Sequence, residues 1–133
     1  MDISGKVAVV TGGASGLGEG TVRAYVAKGG KVAIFDMNAD RGNAIVAELG
    51  ADNVSFHNVN VADEDSVSTA IAEVVAKFGA IHICNNYAGI GNAVKTLSKK
   101  GAFPLDAYKT VINVNLIGTF NVCLLYTSPS PRD

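Results

Sequence analysis

Apolar and polar positions alternate in blocks along the chain, and these blocks predict strands and helices in turn. Residues 7–11 and 31–36 are short, almost continuous apolar runs, which is typical of strands covered on both faces in a parallel sheet. A weaker apolar run follows at 54–60 and another at 81–86. The pattern therefore predicts four strands, each separated from the next by a longer segment.

The separating segments carry the spacing of helices. The first covers residues 16–28, the second follows the capping residue Asn38 and stops at Gly50, and the third follows Asp63 and stops at Gly79. Side chains such as Asn and Asp cap helix starts, and glycine commonly ends helices. Strands that alternate with helices through short connections predict an α/β protein, here part of a doubly wound parallel sheet.

The second half of the chain has a different pattern. Glycine, lysine and serine are frequent between Gly89 and Gly101, which predicts a loop. After Pro104 a long and mostly apolar helix is expected to run towards Leu125.

Composition and charge narrow the classes of function. The 133 residues suit one domain, and 11 Lys and Arg against 12 Asp and Glu leave no basic surface for nucleic acid or an anionic membrane. Mean hydropathy is high at +0.26, yet no apolar run of about 18 residues could span a bilayer. The first residues lack a signal-peptide pattern, and Cys84 and Cys123 have no spacing of metal ligands. We expect an intracellular protein with reduced thiols and no metal site.

Four of the 15 glycines lie within residues 11–18, at the junction between the first strand and the first helix. In the stretch 11–18, Gly12 would allow a sharp turn, Gly16 a close approach of a pyrophosphate, and Gly18 tight packing of the helix. The helix start would then offer N–H groups and a positive dipole end to phosphates. An ordinary glycine-rich turn is the alternative interpretation.

An acidic residue at the end of the second strand supports a dinucleotide. Asp36 follows Gly18 by 18 residues, where a carboxylate would accept hydrogen bonds from the adenosine ribose. A carboxylate there repels a 2′-phosphate, and the next residue, Met37, adds no positive charge. The sequence favours NAD over NADP, the alternative being that Asp36 is only a turn residue.

Three motifs together resemble the short-chain dehydrogenase/reductase family. The family's Thr-Gly-x-x-x-Gly-x-Gly loop is matched fully at 11–18, and its Asn-Asn-Ala-Gly turn corresponds to 86–89, with Tyr87 in place of the second Asn. Asn115 matches the helix asparagine of the family's catalytic tetrad. The resemblance covers residues 3–122.

The resemblance implies a Rossmann-type sheet of strand order 3-2-1-4 and hydride transfer between NAD and a secondary alcohol. It implies a catalytic role for Asn115, which in the family holds a water of the proton relay. The implied cofactor-binding residues belong to the glycine loop, the strand ends and the turn after the fourth strand, and they are Gly12, Ser15, Gly16, Leu17, Gly18, Asp36, Asn60, Val61, Asn86, Ala88 and Gly89.

Two stretches resemble the 3-hydroxyacyl-CoA dehydrogenase type 2 branch of that family, namely residues 94–101 and 113–122. This likeness implies an alcohol or ketone substrate such as a 3-hydroxyacyl-CoA, a homo-oligomeric (tetrameric) full-length parent, and a cytoplasmic or mitochondrial location. It is less specific than the likeness to the family.

Several residues depart from the family pattern. Asn60 replaces an aspartate that accepts from the adenine amino group, and its side-chain oxygen is still able to accept. His82 and Asn85 are unusual around the fourth strand, where a buried Asn85 needs a hydrogen bond to be tolerated. Tyr87 introduces a ring where the family has a small amide.

The family's catalytic Tyr-x-x-x-Lys is not found, because the residues four positions after the tyrosines are Gly29, Gly91, Ile112 and Ser130. We expect the catalytic Ser, Tyr and Lys to follow Val122 in a longer parent, so that this chain is the cofactor-binding part of an enzyme. The alternative is a free-standing dinucleotide-binding or interaction module without catalysis.

The last eleven residues are set apart by their composition. Residues 123–133 hold two of the three prolines and resemble the translation of a common transposase sequencing adapter. We therefore expect a domain at 1–122 followed by a non-native tail, the alternative being a natural Ser/Pro tail.

Overall fold

The computed structural model describes residues 1–91 and 96–127. Residues 94 and 95 of the branch-like stretch and residues 128–133 of the expected tail lie outside the described residues. In chain order the first elements are β1 (Val7–Thr11), α1 (Gly16–Ala27), β2 (Lys31–Asp36), α2 (Ala39–Leu49), β3 (Val54–Asn58), α3 (Glu64–Phe78) and β4 (Ile83–Asn86). They are followed by β5 (Leu97–Ser98), β6 (Gly101–Ala102), α4 (Leu105–Ile112), a π-helical segment (Asn113–Ile117) and α5 (Gly118–Thr127).

Strands β1 to β4 form a parallel sheet in the order β3-β2-β1-β4. Ala8 of the central strand β1 pairs with Val32 on one side and with Ile83 on the other, and Val32 pairs in turn with Val54. The α/β class, the parallel sheet and the strand order 3-2-1-4 are thus confirmed.

The sheet separates two apolar layers, because alternate side chains of a strand point to opposite faces. One layer contains Val10, Val32 and Ile34 with residues of α1 and α2, such as Val22 and Ile45. The other layer lies under α3 and α5 and is formed by Val7, Val9, Ala33, Phe35, Val59, Val61, Val67, Ala70, Val74 and Val122. Helices on both faces explain why the strands are almost continuously apolar.

The predicted helix boundaries are set by the expected caps. The Asn38 side chain accepts from the Arg41 N–H at 3.1 Å, and Asp63 Oδ1 accepts from the N–H groups of Asp65 and Ser66. Gly79 ends α3 with φ of 88°, a left-handed conformation that favours glycine.

Two departures from the family pattern around β4 have structural partners. The Tyr25 hydroxyl donates to Asn85 Oδ1 at 2.7 Å, which supplies the hydrogen bond that a polar side chain in this strand needs. The His82 ring accepts from the Val7 N–H through Nδ1 at 2.9 Å, while the His82 backbone N–H donates to the Val7 carbonyl at 2.8 Å. His82 therefore fixes the start of β1 beside β4.

The prediction of a loop throughout 89–101 was wrong at its end. Leu97 pairs with Ala102 and Ser98 with Gly101 in a short antiparallel hairpin that has Lys99 and Lys100 at its tip. Two-residue strands carry too little apolar periodicity to be recognised in a sequence.

The long helix after Pro104 is present, but it contains a π-helical segment that was not predicted. There the Gly118 N–H donates to the Asn113 carbonyl, five residues back. Gly118 is buried, and a Cβ at this position would overlap the Val61 side chain. The close approach to Val61 and the wider turn together set how this helix passes over the sheet.

Helix α5 continues through Thr127, so it includes the first five residues of the segment expected to be foreign. The non-native origin of 123–133 stays a prediction. Among the residues that the structure describes, no helix is long and apolar enough to cross a membrane.

Candidate functional site

A cleft of about 440 Å³ lies beyond the carboxyl ends of β1, β2 and β4. In open α/β sheets this is where ligands bind, and the volume is in the range of small-molecule sites. The cleft is lined by residues of the glycine loop, the strand ends and the π-helical segment, namely Gly12, Ser15, Gly16, Leu17, Gly18, Phe35, Asp36, Met37, Val59, Asn60, Val61, Tyr87, Ala88, Gly89, Ile90 and Val114.

The floor of the cleft at its centre is the start of α1. Ser15 is the N-cap, but its side chain makes no capping hydrogen bond, so it leaves the first helical N–H groups available to a ligand. Gly16 has φ of 56° and nothing lies within 4 Å of the place where its Cβ would stand. An exposed backbone with free donors and a positive helix end is suited to an anion such as a pyrophosphate.

Gly18 makes the loop compact. A Cβ on Gly18 would overlap the carbonyl oxygen of Gly12, so only glycine allows the helix to start this close to the turn. The Gly12 N–H in turn donates to the Phe35 carbonyl at 2.8 Å, which joins the loop to the end of β2.

Asp36 lies at one end of the cleft and its carboxylate is held by the backbone. Oδ2 accepts from the Ala14 N–H at 3.1 Å, and Oδ1 accepts from the Asn38 N–H at 2.9 Å. A carboxylate oxygen has more than one acceptor site, so each oxygen is still able to accept from a ligand hydroxyl. The side chain is thus oriented before any ligand arrives.

Asn60 and Val61 form the adjoining wall. Asn60 Oδ1 already accepts from the Ala62 N–H at 3.0 Å, and its own backbone N–H donates to Ser66 Oγ at 3.1 Å. One lone pair of the amide oxygen is left for a ligand. Val61 is buried and supplies apolar surface.

The turn after β4 is fixed to the glycine loop through Thr11. The Thr11 carbonyl accepts from the Tyr87 N–H, and Thr11 Oγ1 accepts from the Ala88 N–H, both at 3.1 Å. The Tyr87 ring reaches the first turns of α1, where its hydroxyl lies 3.2 Å from Thr21 Oγ1. The turn after β4, which lines the cleft with Tyr87 and Ala88, is thereby joined to β1 and to α1.

Asn115 holds the other end of that turn. Its Oδ1 accepts from the Ile90 N–H and its Nδ2 donates to the Ile90 carbonyl, both at 2.8 Å. The side-chain amide is therefore occupied in positioning Gly89 and Ile90. Its backbone carbonyl accepts from Thr119 Oγ1 at 2.9 Å.

Asn86 does not line the cleft. Its Nδ2 lies 3.7 Å from Cys84 Sγ and 3.5 Å from Cys123 Sγ, and its buried Oδ1 has no hydrogen-bond partner among the residues that the structure describes. Burial raises the pKa of the Cys84 thiol to about 11. Asn86 is thus directed towards the thiols, and the remaining ten residues expected to bind a cofactor line the cleft.

Sequence reasoning missed six lining residues, which are Phe35, Met37, Val59, Tyr87, Ile90 and Val114. Five of them, all except Val114, directly precede or follow residues expected to bind the cofactor, and their apolar character alone did not separate them from the core. Val114 belongs to the π-helical segment, and no local pattern indicates that it comes near β1.

A cluster of charged side chains beside the cleft was also not predicted. Glu19 pairs with Arg41 and, at 3.0 Å, with Arg23, which also pairs with Glu48 at 2.7 Å. The two guanidinium groups, Arg41 foremost, lower the pKa of the Glu19 carboxyl. The pairs of Arg41 with Glu19 and of Arg23 with Glu48 join residues 22 and 25 positions apart, so sequence spacing does not reveal them.

Comparison with known proteins identifies a family and several enzymes to which this chain is similar. The model of a family described as short chain dehydrogenase matches residues 6–129. The 3-hydroxyacyl-CoA dehydrogenases type-2 of Drosophila melanogaster and Homo sapiens are each 42% identical over 125 residues, which is 92% of this chain and 49% and 48% of those proteins. D-threitol dehydrogenase of Mycolicibacterium smegmatis is 38% identical over 123 residues, 91% of this chain and 46% of that protein. The chain spans about half the length of these curated relatives.

Proposed function

The chain belongs to the short-chain dehydrogenase family, and from that premise we propose that its cleft binds NAD(H) for hydride transfer to or from a secondary alcohol carbon. The observation that supports this most is the union of a glycine loop, an uncapped helix start and a backbone-held Asp36 around one cleft. When bound, the nicotinamide would accept or deliver the hydride. The chain's own residues position and enclose it.

The two ends of the cleft suit the two halves of a dinucleotide. Asp36 would accept from the adenosine ribose, with Asn60 and Val61 beside the adenine, while the first N–H groups of α1 would receive the pyrophosphate. Ala88 and Gly89 would line the second ribose, and Asn115 acts there as a positioning residue through Ile90. A water of a proton relay at Asn115 stays a proposal.

The substrate class is proposed from the relatives. Four of the matched proteins are 3-hydroxyacyl-CoA dehydrogenases type-2 from different animals, which supports a 3-hydroxyacyl-CoA or another small alcohol. The exposed apolar side chains of Tyr108, Leu116 and Phe120, at four- and eight-residue spacings along one helix face, support a homo-oligomeric full-length parent. We also propose an intracellular setting, in keeping with the Cys84 thiol, which forms no disulfide within the described residues.

The chain itself is proposed to bind the cofactor without turning over a substrate. Hydride transfer needs a partner that moves the alcohol proton, and the sequence has no Tyr-x-x-x-Lys. Asn115 is the member of the family's tetrad that this chain supplies.

NADH binding tests the proposal. We expect the chain to bind NADH in a calorimetric titration, and Asp36→Asn to weaken binding about tenfold or more, because a charged acceptor of the ribose hydroxyls is lost. Asp40→Asn is the matched control, since it removes the same charge from an exposed position of α2 outside the cleft. Absence of NADH binding by the unaltered chain, or equal affinities for both variants, would contradict the proposal. Thermal melting of each variant verifies that it is folded.

A further inference from the structure

We propose that Glu19 is a specificity residue, which occupies the Arg41 guanidinium beside the ribose end of the cleft and so denies a 2′-phosphate its cation. This inference rests on the proposed binding of NAD(H). It concerns two residues that no family motif in the sequence includes.

Arg41 lies at the ribose end because it contacts the same residue as Asp36. Asp36 Oδ2 accepts from the Ala14 N–H at 3.1 Å, and Arg41 Nε donates to the Ala14 carbonyl at 3.4 Å. A carboxylate and a guanidinium thus lie on either side of a single residue of the glycine loop. A 2′-phosphate on a ribose bound at Asp36 would be near both groups.

Arg41 is the kind of side chain that would accept such a phosphate. A guanidinium binds phosphate oxygens through two parallel N–H groups. The side chain is half exposed, while its backbone N–H is fixed by the Asn38 cap at 3.1 Å. Its anchor point is therefore fixed, but the guanidinium has solvent space in which to turn. Among residues 1–91 and 96–127, those that line the cleft include no Lys or Arg.

Glu19 occupies that guanidinium. It follows Gly18 directly in α1, is only about one-fifth exposed, and pairs through Oε1 with Arg41 and through Oε2 with Arg23 at 3.0 Å. An arginine that is paired with a carboxylate must break that pair to bind a phosphate. Asp36 repels the 2′-phosphate directly, and Glu19 removes the cation that would offset this repulsion.

The same charge cluster offers a control. Glu48 pairs with Arg23 at 2.7 Å and is 60% exposed, whereas Arg41 pairs with Glu19. Glu48→Gln removes one carboxylate from the cluster without releasing Arg41. Any general effect of lost negative charge on an anionic ligand is therefore measured separately.

Binding of NADH and NADPH by calorimetric titration tests the inference. We expect Glu19→Gln to raise the affinity for NADPH relative to NADH about three- to fivefold over the unaltered chain, the scale of one exposed charge pair. Glu48→Gln should leave the ratio unchanged, and the double variant Glu19→Gln/Arg41→Gln should return it to its original value.

The inference is overturned if Glu19→Gln and Glu48→Gln give the same ratio, or if the double variant keeps the gain. If the unaltered chain binds NADH and only the ratio fails to move, the proposed function stands and this inference falls. If the unaltered chain binds neither dinucleotide, both fall.

Discussion

The first two helices each contain a glycine, and the effect of adding a methyl group on stability is expected to differ between the two positions. Gly20 is exposed in the middle of α1 with nothing within 4 Å of its Cβ position, whereas a Cβ on the buried Gly42 of α2 would overlap the Phe56 ring. Neither residue has positive φ. The first glycine costs helix stability without a packing reason, while the second is required by close packing.

We expect Gly20→Ala to raise the free energy of unfolding by about 0.5–1 kcal/mol, because alanine loses less backbone entropy in a helix. Gly42→Ala should lower it by about 1–3 kcal/mol, the usual cost of overpacking. Urea denaturation of both variants measures the difference. A destabilised Gly20→Ala would show that this position has a contact the described structure does not contain.

At the scale of residues, the sequence predicted interactions between near neighbours in the chain and missed those between distant residues. Asn38, Asp63 and Gly79 were recognisable because a cap acts within a few positions of itself. The Tyr25–Asn85 bond and the Glu19–Arg41 pair were not, since each joins residues that only the folded sheet brings together. The glycine loop was predictable because its geometry is local and needs glycine.

At the scale of elements, strand β3 and helix α3 meet through His57. Its Nε2 lies 2.8 Å from Ser55 Oγ, its Nδ1 lies 3.6 Å from Glu73 Oε1, and its ring meets Phe35 edge to face at 5.6 Å. Burial lowers the pKa of His57 below its ordinary value, an effect that Glu73 opposes and Lys77 reinforces. The neutral imidazole is thus the form that fits between these elements.

This fixes the direction of a pH effect. The unfolded chain binds a proton at His57 more readily than the folded chain does, so this residue's contribution to stability is present above pH 6.5 and is lost as the pH falls below it. We expect His57→Gln to flatten the fall in unfolding free energy between pH 7 and pH 5. Glu73→Gln should steepen it, because the carboxylate that favours the charged ring is gone. Urea denaturation across this pH range measures both slopes, and parallel curves for all three proteins would refute the assignment.

In the second half of the chain, the sequence predicted the long helix but not the π-helical segment within it. The long helix followed from its apolar period, but the π-helical segment depends on contacts of Gly118 with Val61 and of Asn115 with Ile90. Both contacts join residues at least 25 positions apart. Local periodicity therefore predicts the helix but not the change from α-helical to π-helical turns within it.

At the scale of the whole molecule, the fold presents one end of a parallel sheet and the cleft beyond it. Strand β4 pairs with β1 and is at the edge of the sheet as described, with residues that are only half-buried. The cleft already joins the ends of β1, β2 and β4. We therefore propose that this chain binds the cofactor without turning over a substrate.

We expect no oxidation of a 3-hydroxyacyl-CoA by NAD with this chain, because the sequence has no Tyr-x-x-x-Lys whose tyrosine would take the alcohol proton. Absorbance at the NADH band in the presence and absence of protein measures this, with a short-chain dehydrogenase of full length as the positive control. Turnover above the rate without protein would contradict the expectation and would direct attention to an unrecognised proton acceptor.

Because the sheet divides the core into two layers, it affects how substitutions can accumulate in the interior. The side chains under α1 and α2 form one cluster, and those under α3 and α5 form another. Energetic effects of substitutions add when the sites share no contacts. A loss of volume at Ile45 and one at Val74 therefore call for separate compensations, each found within its own layer. Each apolar layer can therefore accept substitutions independently of the other, while the cleft at the end of the sheet keeps its shape.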